Sequence, residues 1–205
     1  VCSGLASFAD GAVQVLGAAA FNDDASTVGG ALALGGSGAY GRFAMGSTTF
    51  DDLDRSSLYL VGNAGYQLSL DQNDMVYLCP TATVAFSSGP TNVDVFGDSS
   101  SVVDLSETDF AFGLTLGAIA SRSGDTQIVP SASLSFAHGT VTTTDGMSGT
   151  SDSESESFGL LGLGIGFVFH RVVTFRPGLA VPLGIDGATT TFTVAVGMNF
   201  GGSTR

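Results

Sequence analysis

Three aspartates in Phe50-Asp-Asp-Leu-Asp-Arg55 offer oxygen ligands of the kind a hard cation takes. Their spacing misses the calcium-binding loop of helix–loop–helix proteins, which also needs an internal Gly and a distal Glu. Asp51, Asp52 and Asp54 therefore read as a solvated anionic loop, with divalent-cation binding as the alternative. The run Gly159-Leu-Leu-Gly-Leu-Gly-Ile-Gly166 resembles a dinucleotide loop only in its glycines. That loop must open a helix inside a βαβ unit, and no helical period follows here. His138 and His170 are the only histidines, and no Ser-His-Asp or paired-carboxylate arrangement can be assembled around them from spacing. Two cysteines, Cys2 and Cys79, lack metal-cage spacing but permit one disulfide. No cofactor is implied, and no catalysis is expected.

The composition narrows the remaining options. Net charge is −13, and the six basic residues are all Arg, which argues against nucleic acid as a partner. Only 12% of residues are charged, and 30 are Gly. Mean hydropathy is nevertheless positive, at +0.36. The most apolar stretch, Phe158–Phe169, is too short for a membrane helix and too rich in Gly to make one.

With a period of two, the same stretch resolves into two faces. Leu161, Leu163, Ile165, Phe167 and Phe169 alternate with Gly162, Gly164, Gly166 and Val168, as in a strand with one greasy and one small-residue face. Phe110–Ala118 and Phe192–Phe200 repeat the pattern. Ten strands are expected, over about 10–21, 27–36, 39–50, 56–70, 75–86, 105–121, 126–138, 158–170, 173–183 and 188–200. Tight turns alternate with more polar connections, of which 87–104 and 139–157 are long. Only Asp10, Asp71, Asp74 and Asp125 of the nineteen acidic residues fall at the tight-turn end.

A soluble sheet normally shows Lys, Glu and Arg on its wet face. Here the second face is Gly, Ala, Ser and Thr, which suits a confined interior, while the first suits lipid. The pattern is that of a closed antiparallel up-and-down transmembrane β-barrel of about ten strands, with eight as the alternative count. Residues 1–9 form a tail that partly plugs the mouth, 10–200 the barrel and 201–205 a second tail. With the lipid face fixed, Asp10, Gln14, Arg42, Asn63, Gln67, Asp109, Arg176 and Asn199 point inward. Asp10, Arg42, Gln67, Arg176 and Asn199 lie close to the tight turns in sequence and are expected to form a polar cluster, since a charge in a lumen persists when paired. Cys79 also points inward near a tight turn. A disulfide to Cys2 would pin the first residues across the opening, and two unpaired thiols are the other reading.

The C-terminal "FTVAVGMNF" resembles the final strand of the small bacterial outer-membrane β-barrels, where hydrophobic residues alternate back from a terminal aromatic. The resemblance implies that Phe192, Val194, Val196, Met198 and Phe200 are read by the barrel-assembly machinery. Gly201–Arg205 departs from it, since that family usually stops at the aromatic. It further implies export to the outer membrane with a signal peptide already removed, lipid and lipopolysaccharide as partners, and a structural or surface role or a narrow small-solute channel. Cation preference is expected of any such channel, from the anionic rim. Ten strands are also the count of the omptin proteases, which gather acidic residues and a His at one rim; His138 with Glu107 or Asp109 is the only such grouping here. The alternative function is a secreted or cell-surface β-protein that self-assembles or adheres through its apolar face.

Overall fold

Alternating sequences pair edge to edge into sheets, and here every strand but two short segments finds a partner on both sides. The computed structural model describes residues 2, 12–50, 55–89, 103–123, 125–145, 148–185 and 187–201. The strands are β1 (Ala12–Phe21), β2 (Ala25–Gly36), β3 (Ala39–Phe50), β4 (Arg55–Tyr66), β5 (Leu68–Ser69), β6 (Val76–Ser88), β7 (Val103–Ala118), β8 (Ser121–Ser123), β9 (Thr126–Asp145), β10 (Ser151–Phe169), β11 (Val173–Leu183) and β12 (Thr191–Phe200). All pairings are antiparallel between chain neighbours, and β12 pairs β1, which closes the ring. No helix crosses a membrane among the described residues, a statement that leaves strands untouched.

Two of the twelve segments are continuations. β5 resumes β4 beyond Gln67 in the same register against β6. β8 resumes β7 beyond Ile119-Ala120 with its register against β9 moved by one residue, as a bulge does. Ten walls remain, the expected number.

The turns explain why the register holds. Ser37 and Gly38 both have positive φ (53° and 85°), and so do His170 and Arg171 (50° and 58°). Two successive positive-φ residues match the right-handed twist of the flanking strands. Val172 N–H donates to Phe169 C=O at 2.9 Å, so this turn centres on His170-Arg171, one residue before the expected Arg171-Val172. At 71–75 the Asp71 carboxylate accepts from the backbone N–H of Met75 and Val76, each at 2.8 Å, beside a Leu70 N–H bond to Val76 C=O at 2.8 Å.

The expected loop 139–157 is largely strand. β9 and β10 continue as a paired hairpin to Thr144 and Ser151, with hydroxyl pairs Thr140–Ser155, Thr142–Ser153 and Thr144–Ser151 at 2.9–3.0 Å. The apolar alternation stops at Phe136 because the hairpin leaves the greasy belt there, whereas the pairing does not stop.

Apolar side chains are exposed on the outward face all round the ring, including Phe112 (69%), Phe136, Leu163, Phe192 and Val196. The buried apolar side chains sit inside the barrel instead. Tyr77, Cys79, Ile119, Val129 and Val168 cluster with Cys2 at the tight-turn end, with Met75 packed against them.

Candidate functional site

Parity places the site. Arg42 and Arg176 project into the lumen from β3 and β11, on the same faces as Tyr40 and Gly178 of their strands. Two cavities of about 280 and 430 Å³ lie against opposite walls, and Arg42, Tyr59, Ser133 and Arg176 line both. The first is walled by β1, β10, β11 and β12 with Ala18, Gly162 and Thr193. The second is walled by β3, β4, β6 and β7 with Asn63, Thr83 and Gly113.

The glycines have their explanation here. A Cβ on Gly164 would stand 3.1 Å from Arg176 Nε and 3.3 Å from Ser131 Oγ. A Cβ on Gly46 would meet the Tyr59 ring, and one on Gly65 the Tyr40 ring. Large side chains fold flat over glycine-lined walls, a packing that bare strand backbone invites. Arg176 donates to Ser131 Oγ at 3.4 Å. The buried Nε of Arg42 has no hydrogen-bond partner among the described residues.

The residues expected to form one polar cluster occupy three places. Arg42 and Arg176 line the same two lumen cavities. Asn199 lies beside Gln14 on β1 and Thr174 on β11: Gln14 Nε2 donates to its Oδ1 at 2.7 Å, and its Nδ2 donates to Thr174 Oγ1 at 3.2 Å. Gln67 is buried at the break between β4 and β5, where its backbone N–H donates to Gly38 C=O at 2.8 Å. Strands tilt in a barrel, so equal distance from a turn is not equal height. Asp10 lies outside the described residues, as do Asp51, Asp52 and Asp54. Among the described residues no group of three or more potential ligands could hold a metal ion.

Cys2 and Cys79 form a disulfide, with Cα atoms 6.0 Å apart. Both are buried in the apolar cluster at the tight-turn end. β1 and β6 are four strands apart in the ring, so the bond ties Cys2 to a wall nearly opposite the start of β1. Residues 1 and 3–9, the rest of the expected plug, lie outside the described residues, as do 10, 11 and 202–205.

Phe192, Val194, Val196, Met198 and Phe200 all face outward on β12, each at least 37% exposed. His138 also faces outward and bonds Ser157 Oγ at 2.8 Å, beside Phe110. Asp109 faces the lumen opposite Gly139, so the wall of the barrel separates the two and they do not form a dyad. Glu107 lies one step further out, above the belt. Burial, and then the neighbouring Asp109 charge, push its carboxyl above the usual range, against a hydrogen bond from Ser87.

Sequence reasoning had placed Arg42 and Arg176 inward but not Tyr40 and Tyr59. Their parity with Arg42 and Asn63 was the available signal.

A closed ring, a greasy outer belt and a small-residue interior holding a few polar groups are the architecture of the small outer-membrane β-barrels. Solved structures agree at the level of fold. The translocator domain of the autotransporter NalP from Neisseria meningitidis is 12% identical, with 97% of this chain and 90% of that one covered at a TM-score of 0.52. Two further matches are Ail of Yersinia pestis, 12% identical over 94% of this chain and 99% of that one at 0.47, and the N-terminal β-barrel domain of Pseudomonas aeruginosa OprF, 10% identical over 92% and 97% at 0.44. No family model matches the sequence, and no curated protein does.

Proposed function

We propose that the protein is a non-catalytic barrel of the bacterial outer membrane with a structural or surface role, its lumen shut at the tight-turn end rather than open as a channel. The observation that carries this reading is the pairing of an outward apolar belt with an inward apolar seal. Leu163, Ile165 and Phe112 have no protein to pack on and suit lipid, whereas Tyr77, Ile119, Val129 and Val168 fill the interior around the Cys2–Cys79 bond. Barrels of about eight strands are filled by their own side chains, and ten leave a little more space. Lipid and lipopolysaccharide are then its immediate surroundings, with the long-loop end outermost. Phe192 to Phe200 would serve as the strand read by the assembly machinery. A disulfide also fits an oxidising compartment outside the cytoplasm.

Extraction and planar-bilayer recording test the reading together. The protein should stay in the membrane fraction without detergent, migrate differently on gels before and after boiling, and give no porin-sized conductance steps. A chain that stays soluble without detergent would point instead to the self-assembling or adhesive β-protein, and stable large steps would refute the closed lumen.

A further inference from the structure

We propose that the free edge of β10 beyond the belt, Ser151–Ser157, docks an extended cationic polypeptide segment, which joins the sheet there as a further strand. β9 pairs β10 along its whole length, from Ser151 against Thr144 to Phe169 against Thr126. On the other side, β11 pairs β10 only from Gly159, opposite Leu183, onward. Ser151–Ser157 therefore keep one row of backbone N–H and C=O groups turned away from β9, with no strand against it among the described residues. Both faces of this stretch are exposed throughout. Its side chains bond across to β9 or, for Asp152, to the N–H of the next residue. An open edge of this kind is a ready template for another strand. The usual guards are missing: it holds no Pro or Lys, and its register with β9 runs without a bulge. The hydroxyl pairs with β9 hold the template in its extended form before any partner arrives.

Charge selects the occupant. Asp152, Glu154 and Glu156 share one face of the edge. The register sets Glu156 in line with Asp109, and Glu154 in line with Glu107, across β9 from β7. A second copy of the chain fits poorly. Antiparallel pairing of two such edges about Glu154 sets Glu154 against itself and Asp152 against Glu156, and like charges directly opposite destabilise a sheet. A segment with Lys or Arg at alternate positions instead brings a cation beside each carboxylate. Its intervening small or hydroxyl residues then lie on the face of Ser151, Ser153, Ser155 and Ser157. Main-chain bonds supply the affinity, and the carboxylates supply the choice of partner. The inference concerns the hairpin and stands whether or not the outer face is in lipid.

A short fluorescent peptide alternating Lys and Thr, titrated against the full chain folded in detergent, tests the edge. Anisotropy should show saturable binding. Two further peptides carry backbone N-methyl groups, one on the Lys nitrogens and the other on the Thr nitrogens. Only the form whose methyl groups face β10 should bind about tenfold or more weakly. Equal affinities of the two methylated forms, or no saturable binding at all, overturn strand addition. In the complex, amide exchange should slow about tenfold or more at alternate residues of Ser151–Ser157. Unchanged exchange there, or protection confined to other strands, overturns it equally. Glu154→Gln combined with Glu156→Gln should weaken the unmethylated peptide about fivefold, and undiminished binding in that variant overturns selection by charge. Dimerisation of the parent through the same amides would make a second copy the occupant and overturn the proposal. Gel mobility before and after boiling reports the barrel separately, so failure of the edge leaves the membrane reading standing.

Discussion

Adjacent residues on one strand meet opposite solvents, and Leu163 and Gly164 show what that means for substitution. Leu163 is 46% exposed on the outer belt, and Gly164 lies beneath Arg176. Leu163→Arg should cost about 2–4 kcal/mol at the bilayer midplane. Gly164→Ala adds no charge and should cost less, because a flexible guanidinium gives way. Urea titrations in lipid vesicles check both, and a Leu163→Arg protein as stable as the parent would sink the outward assignment. Asp71 sets a pH dependence. Backbone N–H groups, that of Val76 foremost and then Met75 and Asn73, hold its carboxyl below the usual 3.8. The carboxylate's contribution is therefore complete above pH 4 and is lost as pH falls through the lowered pKa. In Asp71→Asn the turn should be weaker at neutral pH, and acidification to pH 3 should cost that variant less than it costs the parent. At this scale the period-two reading sorted inward from outward residues well, Arg42 and Gln14 included. Heights were illegible, because strand tilt and register are set by the closed ring and not by any one segment; hence Asn199 stands with Gln14 rather than Arg176.

Strands were legible where one face was apolar and the other small, so 39–50 and 173–183 coincide with β3 and β11 to the residue. The reading failed for β9 and β10 beyond the belt. There Thr140, Thr142 and Thr144 face Ser155, Ser153 and Ser151, and polarity no longer alternates in the way that marks a strand. Cross-strand hydroxyl pairs replace hydrophobic contact as the stabilising unit. Turn chemistry offers a cleaner test of an element. His170 and Arg171 hold the left-handed conformation with side chains that disfavour it, at a cost on the order of 1 kcal/mol each. Arg171→Gly should raise the urea midpoint of refolded protein by an amount equivalent to about 0.5–1 kcal/mol. A lower midpoint would mean that the Arg171 side chain itself secures the β10–β11 hairpin.

The whole ring was countable from sequence because turn signals punctuate it regularly, and ten walls closing β12 onto β1 matches the expected even number. What fills the ring was less readable: inward Tyr40 and Tyr59 went unnoticed, and the seal around Cys2 needs residues from β6, β9 and β10 and from the break between β7 and β8. The charge in mid-lumen also differs from that of the rim. Two arginines line the lumen cavities, opposite in sign to the acidic residues of the longer connections. Reduction of Cys2–Cys79 removes a link across 77 residues, worth about 4 kcal/mol in a chain-entropy account. Guanidinium unfolding in detergent with and without reductant should show that loss as a lower midpoint, and identical midpoints would mean the bond constrains little. The projecting β9–β10 hairpin carries a consequence of another sort. Its strands run 20 and 19 residues, about twice the roughly 9–11 that a tilted strand needs to cross a hydrocarbon core. It works as a mast. A dye at Ser148 should escape quenchers anchored in the bilayer that extinguish one placed at Phe136, and a short peptide grafted at that masthead would fly clear of the lipid surface, within reach of an antibody.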